Sequence, residues 1–258
     1  MAGSGSVVDA AELEAKVKDM YRQVADQPHA DYHFEMGRSL ADRLGYPPDL
    51  LDLVPTQAIE SFAGVGYFFD LAGLGSGEHV IDLGSGSGMD TFATAAIVGD
   101  TGRVVGVDFT AEQLAKARRL ADGLAHVQFQ EGRIEQLPAD DASFDCVISN
   151  GVINLSADKP RVFAEAARVL RPGGRLAIAD IVTERPLTEA IIGNADLWAS
   201  CIGGAAHEDT YRQAVEAAGL RIEHVRRNDY RFLSAQAQSA SATYGVHSVS
   251  LLAVKPLG

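Results

Sequence analysis

The stretch Val80-Ile81-Asp82-Leu83-Gly84-Ser85-Gly86-Ser87-Gly88-Met89 decides the fold. Val80 to Leu83 reads as a short buried strand, and three glycines at alternate positions follow it at once. Glycines there let the chain turn sharply and bring bare main chain against a ligand. The apolar run from Met89 to Val98 then reads as a helix. Its first turn presents unpaired N–H groups beside that ligand. A dinucleotide fingerprint G-x-G-x-x-G would need glycine at position 89, where this chain has Met89. The spacing is G-x-G-x-G, with Asp82 near the strand end.

Downstream the strand and helix patterns keep alternating. Strands are expected over 103–107, 127–130, 144–149 and 175–182, with helices over 111–122 and 159–170. Pro172-Gly173-Gly174 reads as a turn before the strand at 175. Helices over 189–201 and 208–218 follow, and strands over 220–226 and 248–254 close the sheet. This alternation predicts an α/β fold, a parallel sheet covered by helices on both faces. Upstream, the pattern is helical throughout. Leu13, Val17, Met20, Tyr21 and Val24 share one face of a helix over 8–24. Further helices fit 35–44, stopped by Gly45, then 49–54, then 57–72 with Gly64 and Gly66 inside it. The expected organisation is an N-terminal helical cap over 1–75 and a sheet domain over 76–258. Residues 184–218 form a helical insertion on the substrate side.

Composition narrows the partners. The chain has 258 residues, enough for one large domain or a domain with a cap. Its formal net charge of −13 repels a phosphate backbone. The densest basic cluster, Arg221, Arg226, Arg227 and Arg231, is interrupted by Glu223 and Asp229 and reads as a solvated strand end. No nucleic-acid partner is expected. Cys146 and Cys201 make neither a disulfide framework nor a metal site. Cys146 lies inside a strand pattern and reads as core. Residues 1–10 lack the basic and apolar regions of a signal peptide, and no apolar run approaches the ~18 residues of a membrane span. A cytoplasmic protein with no membrane partner is expected.

Further marks follow the glycine loop in order. Asp108 ends the second strand, with Phe109 beside it. A carboxylate there accepts hydrogen bonds from ribose hydroxyls; with Thr110 it also suits a helix cap. Gly132-Arg133-Ile134-Glu135-Gln136-Leu137-Pro138 follows the third strand, and Ser149-Asn150-Gly151 ends the fourth at the ligand-binding edge. Together these marks resemble the class I S-adenosyl-L-methionine-dependent methyltransferases. So does Arg168-Val169-Leu170-Arg171-Pro172-Gly173-Gly174-Arg175-Leu176, a structural helix–turn–strand signature. The resemblance implies a Rossmann-like sheet of seven strands, the last antiparallel. It implies that Asp82, Gly84, Ser85, Gly86 and Gly88 cradle the amino-acid part of S-adenosyl-L-methionine. Asp108 and Phe109 would meet the ribose, and Gly132, Ile134 and Glu135 the adenine, with Asn150 nearby.

Within that class the chain resembles the arsenite methyltransferases from about residue 40 to 220. The glycine loop through Asp90, Ser149-Asn150-Gly151-Val152-Ile153-Asn154-Leu155 and Cys201-Ile202-Gly203-Gly204-Ala205 carry the likeness. Two positions depart from it. Val65, between Gly64 and Gly66, and Gly151 stand where that family has arsenic-ligating cysteines. Soft trivalent arsenic wants several sulfur ligands, and only Cys201 remains at such a position. The resemblance therefore implies the scaffold and the pocket, without the arsenic ligand set.

Methyl transfer is an in-line displacement that chiefly needs positioning and exclusion of water. A base is needed only for an acceptor that must lose a proton. His29-Ala30-Asp31-Tyr32-His33-Phe34-Glu35 offers His33 as candidate base and Tyr32 or Phe34 as pocket walls. Cys201 is the second candidate catalytic residue. Phe62, Tyr67, Phe68, Trp198 and His207 are further candidate walls, and Val65 is expected within reach of the transferred methyl group. The function expected is methyl transfer to a small-molecule acceptor; the alternative is a non-catalytic S-adenosylmethionine-binding or adapter protein. A nicotinamide oxidoreductase is excluded by Met89 and by the lack of an obvious Tyr-Lys pair.

Overall fold

The computed structural model describes residues 10–27, 30, 32, 34–192, 194, 197, 198 and 201–257. Its layers follow from alternation along the first strand, β1 (His79–Leu83). Val80 is buried in one core, while Ile81 and Leu83 are buried in another. Successive strand side chains point to opposite faces, so a strand covered on both sides must be apolar throughout.

The other strands are β2 (Arg103–Asp108), β3 (Val127–Glu131), β4 (Phe144–Asn150), β5 (Leu170–Thr183), β6 (Ala206–His207), β7 (Arg221–Arg227) and β8 (His247–Val254). The order is β3-β2-β1-β4-β5-β8-β7, parallel except for β8, which runs antiparallel to β5 and β7. The two-residue β6 adds to this expected seven-strand sheet by pairing with β5. The chain order reverses between β1 and β4, so their carboxyl ends form the switch point at which open α/β sheets bind ligands.

Five helices precede β1: α1 (Ala10–Asp26), α2 (Gly37–Leu44), α3 (Pro48–Leu51), α4 (Thr56–Glu60) and α5 (Phe69–Ala72). The helices α6 (Met89–Val98) and α7 (Ala111–Leu120) join them on one face of the sheet. On the opposite face lie α8 (Lys159–Val169) and the helix Glu208–Ala217. Cys146 is fully buried in the first core, as a small apolar residue.

The structure corrects four local expectations. The helix expected over 57–72 is two short helices, with residues 62–68 in neither helix nor strand between them. A Cβ on Gly64 would meet the Asn150 Nδ2 at 2.7 Å, and one on Gly66 the Ala179 Cβ at 2.8 Å. The glycines let this segment lie flush on the strand ends, which a helix could not do. Pro172-Gly173-Gly174 does not precede the strand but lies within β5. The register jumps there, from Phe144 opposite Leu170 to Cys146 opposite Arg175. Over 189–201 the described residues show helix at Glu189–Ile192 and again at 197–198, interrupted at Asn194, and residues 193, 195, 196, 199 and 200 lie outside the described residues. The helix Ala235–Tyr244 was not expected, because its small and polar residues carry no apolar period.

Phe163 is fully buried and meets Tyr211 edge-on, with ring centroids 5.1 Å apart. Phe163→Ala is expected to cost about 3–5 kcal/mol. Urea denaturation checks this; a loss below about 1 kcal/mol would show that this core collapses around the gap.

Candidate active site

The turn after β1 is tied to β2 before any ligand enters. The Gly84 and Ser85 N–H groups both donate to the Val107 carbonyl, at 2.8 and 3.0 Å. Gly84 has φ +72°, and a Cβ there would lie 2.4 Å from Val152 Cγ1. Asp108 then braces the loop. Its Oδ2 accepts from the Gly86 N–H at 2.9 Å and its Oδ1 from the Thr110 N–H at 2.8 Å. Each oxygen keeps a second lone pair for a ligand hydroxyl. The N-cap of α7 is Thr110, without a side-chain capping bond, so Asp108 braces the turn rather than capping the helix and stays open to ribose hydroxyls.

Behind the loop lies a cluster of buried carboxyls. Asp82 accepts from the Thr91 hydroxyl at 2.6 Å. Asp90 accepts from Tyr46 Oη at 2.6 Å and from Asn150 Nδ2 at 3.0 Å. Burial raises the pKa of Asp82 to about 8, with the charge of Asp90 adding to the effect. Burial raises Asp90 to about 6, against the hydrogen bonds from Tyr46 and Asn150. Asp108 is raised too, again chiefly by burial. Arg133 is the one basic side chain among the described residues lining the cleft, and it pairs with Glu14 at 2.5 Å.

The cleft gathers Asp82, Gly84, Ser85 and Gly86 from the loop, Asp108 and Phe109 after β2, Ile134 and Glu135 after β3, and Asn150 at the end of β4. Gly88 and Gly132 do not line it. Gly88 caps α6 with φ +94°, and the Gly132 N–H donates to the Asp108 carbonyl. Glu135 accepts from the Ser156 hydroxyl at 2.5 Å. Asn150 faces the cleft, but its amide also docks the segment over 62–68. Its Oδ1 accepts from the Val65 N–H at 2.8 Å, and its Nδ2 donates to the Gly66 carbonyl at 3.0 Å.

α1 covers the cleft with Glu14, Val17 and Tyr21, and the segment after α4 adds Phe62, Ala63 and Gly64. Val65, expected near the methyl group, is instead buried in the core and turned from the cleft. Gln113 joins loop to cover. Its Oε1 accepts from the Ser87 hydroxyl and its Nε2 donates to the Tyr21 carbonyl at 2.9 Å. Gln113, Asp90 and Tyr46 were missed in the sequence, because nothing local marks a residue whose partners lie 26 to 92 positions away.

The candidate base, His33, and its neighbour His29 lie outside the described residues. Tyr32 stacks on Phe34 at 5.6 Å and donates to the Gln27 carbonyl, away from the cleft. Trp198 donates to the Ile192 carbonyl, His207 caps the helix Glu208–Ala217, Tyr67 packs against Tyr46, and Phe68 is core. Cys201 sits at φ +60°, and burial pushes its thiol up to about 12.

A family model described as a methyltransferase domain matches residues 74–219. The chain belongs to that family. An arsenite methyltransferase of Halobacterium salinarum is 39% identical over 197 residues, 76% of this chain and 50% of that protein. A ubiquinone/menaquinone biosynthesis C-methyltransferase of Escherichia coli O1:K1 / APEC is 30% identical over 175 residues, 66% of each chain. The crystal structure of an arsenic(III) S-adenosylmethionine methyltransferase from Chlamydomonas reinhardtii superposes with a TM-score of 0.64. It is 30% identical, with 86% of this chain and 74% of that chain covered. The chain spans about half the length of the arsenite methyltransferases it matches first.

This methyltransferase domain is of the S-adenosylmethionine-dependent class, and its cleft fits that cofactor. Buried carboxyls without a basic partner suit a ligand carrying positive charge. A Cβ on Gly86 would meet nothing nearer than Gln113 Oε1 at 3.8 Å, so that side of the loop is open. Ser85 Oγ is buried with no partner among the described residues.

The raised carboxyls set a pH dependence. At Asp82 and Asp90 the folded chain binds more protons than the unfolded one between about pH 4 and about pH 8. This contribution is whole below about pH 4 and is lost as pH rises through about 6 and then about 8. The urea midpoint of the ligand-free methyltransferase domain should therefore fall from pH 5 to pH 9, and Asp82→Asn should flatten the upper part of that fall. A flat wild-type profile would contradict the burial of these groups.

Proposed function

We propose that the chain transfers a methyl group from S-adenosylmethionine to a small-molecule acceptor. The observation that carries this reading is the carboxyl cluster Asp82, Asp90 and Asp108 set around an open glycine turn. S-adenosylmethionine, when bound, supplies a methyl group on a positively charged sulfur. The chain's own residues then have two tasks. The carboxylates hold the cation and the ribose hydroxyls in one pose, which is the larger part of catalysis by positioning. α1 and residues 58–64 close over the cleft and exclude water. Their polar latches, Glu14 to Arg133, Lys18 over the Phe109 ring at 5.1 Å and Gln113 to Tyr21, suit a cover that opens and shuts.

The acceptor differs from that of the arsenic enzymes in this reading. A Cβ on Gly151 would lie 3.1 Å from Val65 Cγ1. The two positions expected to carry cysteines are therefore neighbours, and both lack sulfur. Gly151 also has φ +72°, so restoring Cys there carries backbone strain.

An acceptor screen reading S-adenosylhomocysteine release tests the proposal. Turnover is expected with at least one thiol or phenol and only background with arsenite. Asp108→Ala should weaken cofactor binding about 10- to 100-fold, or about 1.5–3 kcal/mol. Steady arsenite turnover, or undiminished cofactor binding by the variant, would overturn the corresponding part.

A further inference from the structure

S-adenosylmethionine carries a carboxylate besides its two positive groups, and the acidic cluster answers only the positive ones. A carboxylate set down near Asp82, Asp90 and Asp108 needs a cation close by. Arg133 is already engaged. It is more than half exposed, pairs with Glu14 and stands with Ile134 and Glu135, at the expected adenine end. A second cation lies just behind the wall. Lys116 on α7 is only 7% exposed, and its Nζ donates to the Ser61 hydroxyl at 2.6 Å. Ser61, at the end of α4, itself lines the cleft.

The pair belongs to the glycine-loop end of the cleft. Gln113, three residues before Lys116 on α7, holds that loop through the Ser87 hydroxyl, and residues three apart share a helix face. Burial lowers the Lys116 pKa, while the charges of Glu60 and Asp26 act through space to hold it up. No carboxylate among the described residues forms an ion pair with Lys116; its hydrogen bond goes to Ser61. An ammonium has three donors, and a buried one that meets a hydroxyl alone gains from an anion brought near. The Ser61 hydroxyl proton reaches the Val24 carbonyl at 3.5 Å, a long and weak bond. It can turn into the cleft instead, and a hydroxyl polarised by an ammonium donates more strongly.

We propose that Ser61 and Lys116 form the subsite for the carboxylate of the cofactor's amino-acid part. Ser61 donates its hydroxyl to that carboxylate, and Lys116 behind it supplies the counter-charge. The proposal rests on the reading of the cleft as the cofactor site. It makes Ser61 a binding residue and Lys116 a positioning residue, and it gives the end of α4 a part in holding the cofactor as well as covering it.

The test is calorimetric titration of S-adenosylhomocysteine, and of its decarboxylated analogue, into the full chain. The analogue keeps the ammonium and loses the negative charge, so the acidic cluster alone would favour it. The proposal predicts the reverse, with S-adenosylhomocysteine bound at least about tenfold more tightly by the wild-type chain. Lys116→Met, which keeps the length and removes the charge, and Ser61→Ala should each weaken S-adenosylhomocysteine about fivefold or more. Both should leave the analogue within about twofold, a selectivity that a merely structural role would not give. Equal wild-type affinity for the two compounds, a preference for the analogue, or the full wild-type preference in either variant would overturn the subsite and leave the cleft standing. If one variant loses both compounds alike, the other decides; if both variants do, the pair serves the fold and the proposal falls. Failure of the wild-type chain to bind S-adenosylhomocysteine would overturn the cleft reading and the subsite with it.

Discussion

Burying carboxyl groups at the carboxyl edge of a parallel sheet is costly, and much of this molecule is arranged around that cost. Asp82 and Asp90 are both more than nine-tenths buried. A buried charge is tolerated only when hydrogen-bonded or paired. Thr91, Tyr46 and Asn150 supply the hydrogen bonds. Two of those donors fix larger pieces of structure. Tyr46 holds the chain between α2 and α3 against the sheet, with its ring edge-on to Phe62, Tyr67 and Phe69. Asn150 docks the segment over 62–68. The helices before β1 thus meet the sheet at the acidic cluster itself, and what stabilises their docking also shapes the cleft.

The missing counter-charge gives the site its direction. Hydrogen bonds relieve part of the burial penalty, but no basic side chain among the described residues neutralises Asp82 or Asp90. A ligand bearing positive charge completes the arrangement, and a neutral product completes it less well. The same asymmetry favours release after transfer, since the sulfur loses its charge.

The sequence made the sheet legible because local chemistry determines it. Met89–Val98 has the bounds expected from its apolar run, and β2 and β4 each extend one residue beyond expectation. The glycine turn and Asp108 were legible for the same reason, since strand end, turn and helix start adjoin in the chain. Tertiary contacts decided the rest. Gly64 and Gly66 read as weak points in a helix, yet their lack of Cβ serves close approach to Asn150 and Ala179. Asp90 sits in a helix pattern where it reads as a polar residue of the first turn, and only the fold brings Tyr46 to it from 44 positions away.

The central claim is that the carboxyls at the turn are the counter-charge of the cofactor. Calorimetric titration of S-adenosylmethionine near pH 7, in two buffers of different ionisation enthalpy, counts the protons exchanged on binding. Asp82, held at about 8, is protonated in the free chain at that pH, and a bound cation lowers its pKa. The account predicts net proton release with S-adenosylmethionine and less with S-adenosylhomocysteine; no release, or net uptake, would contradict it.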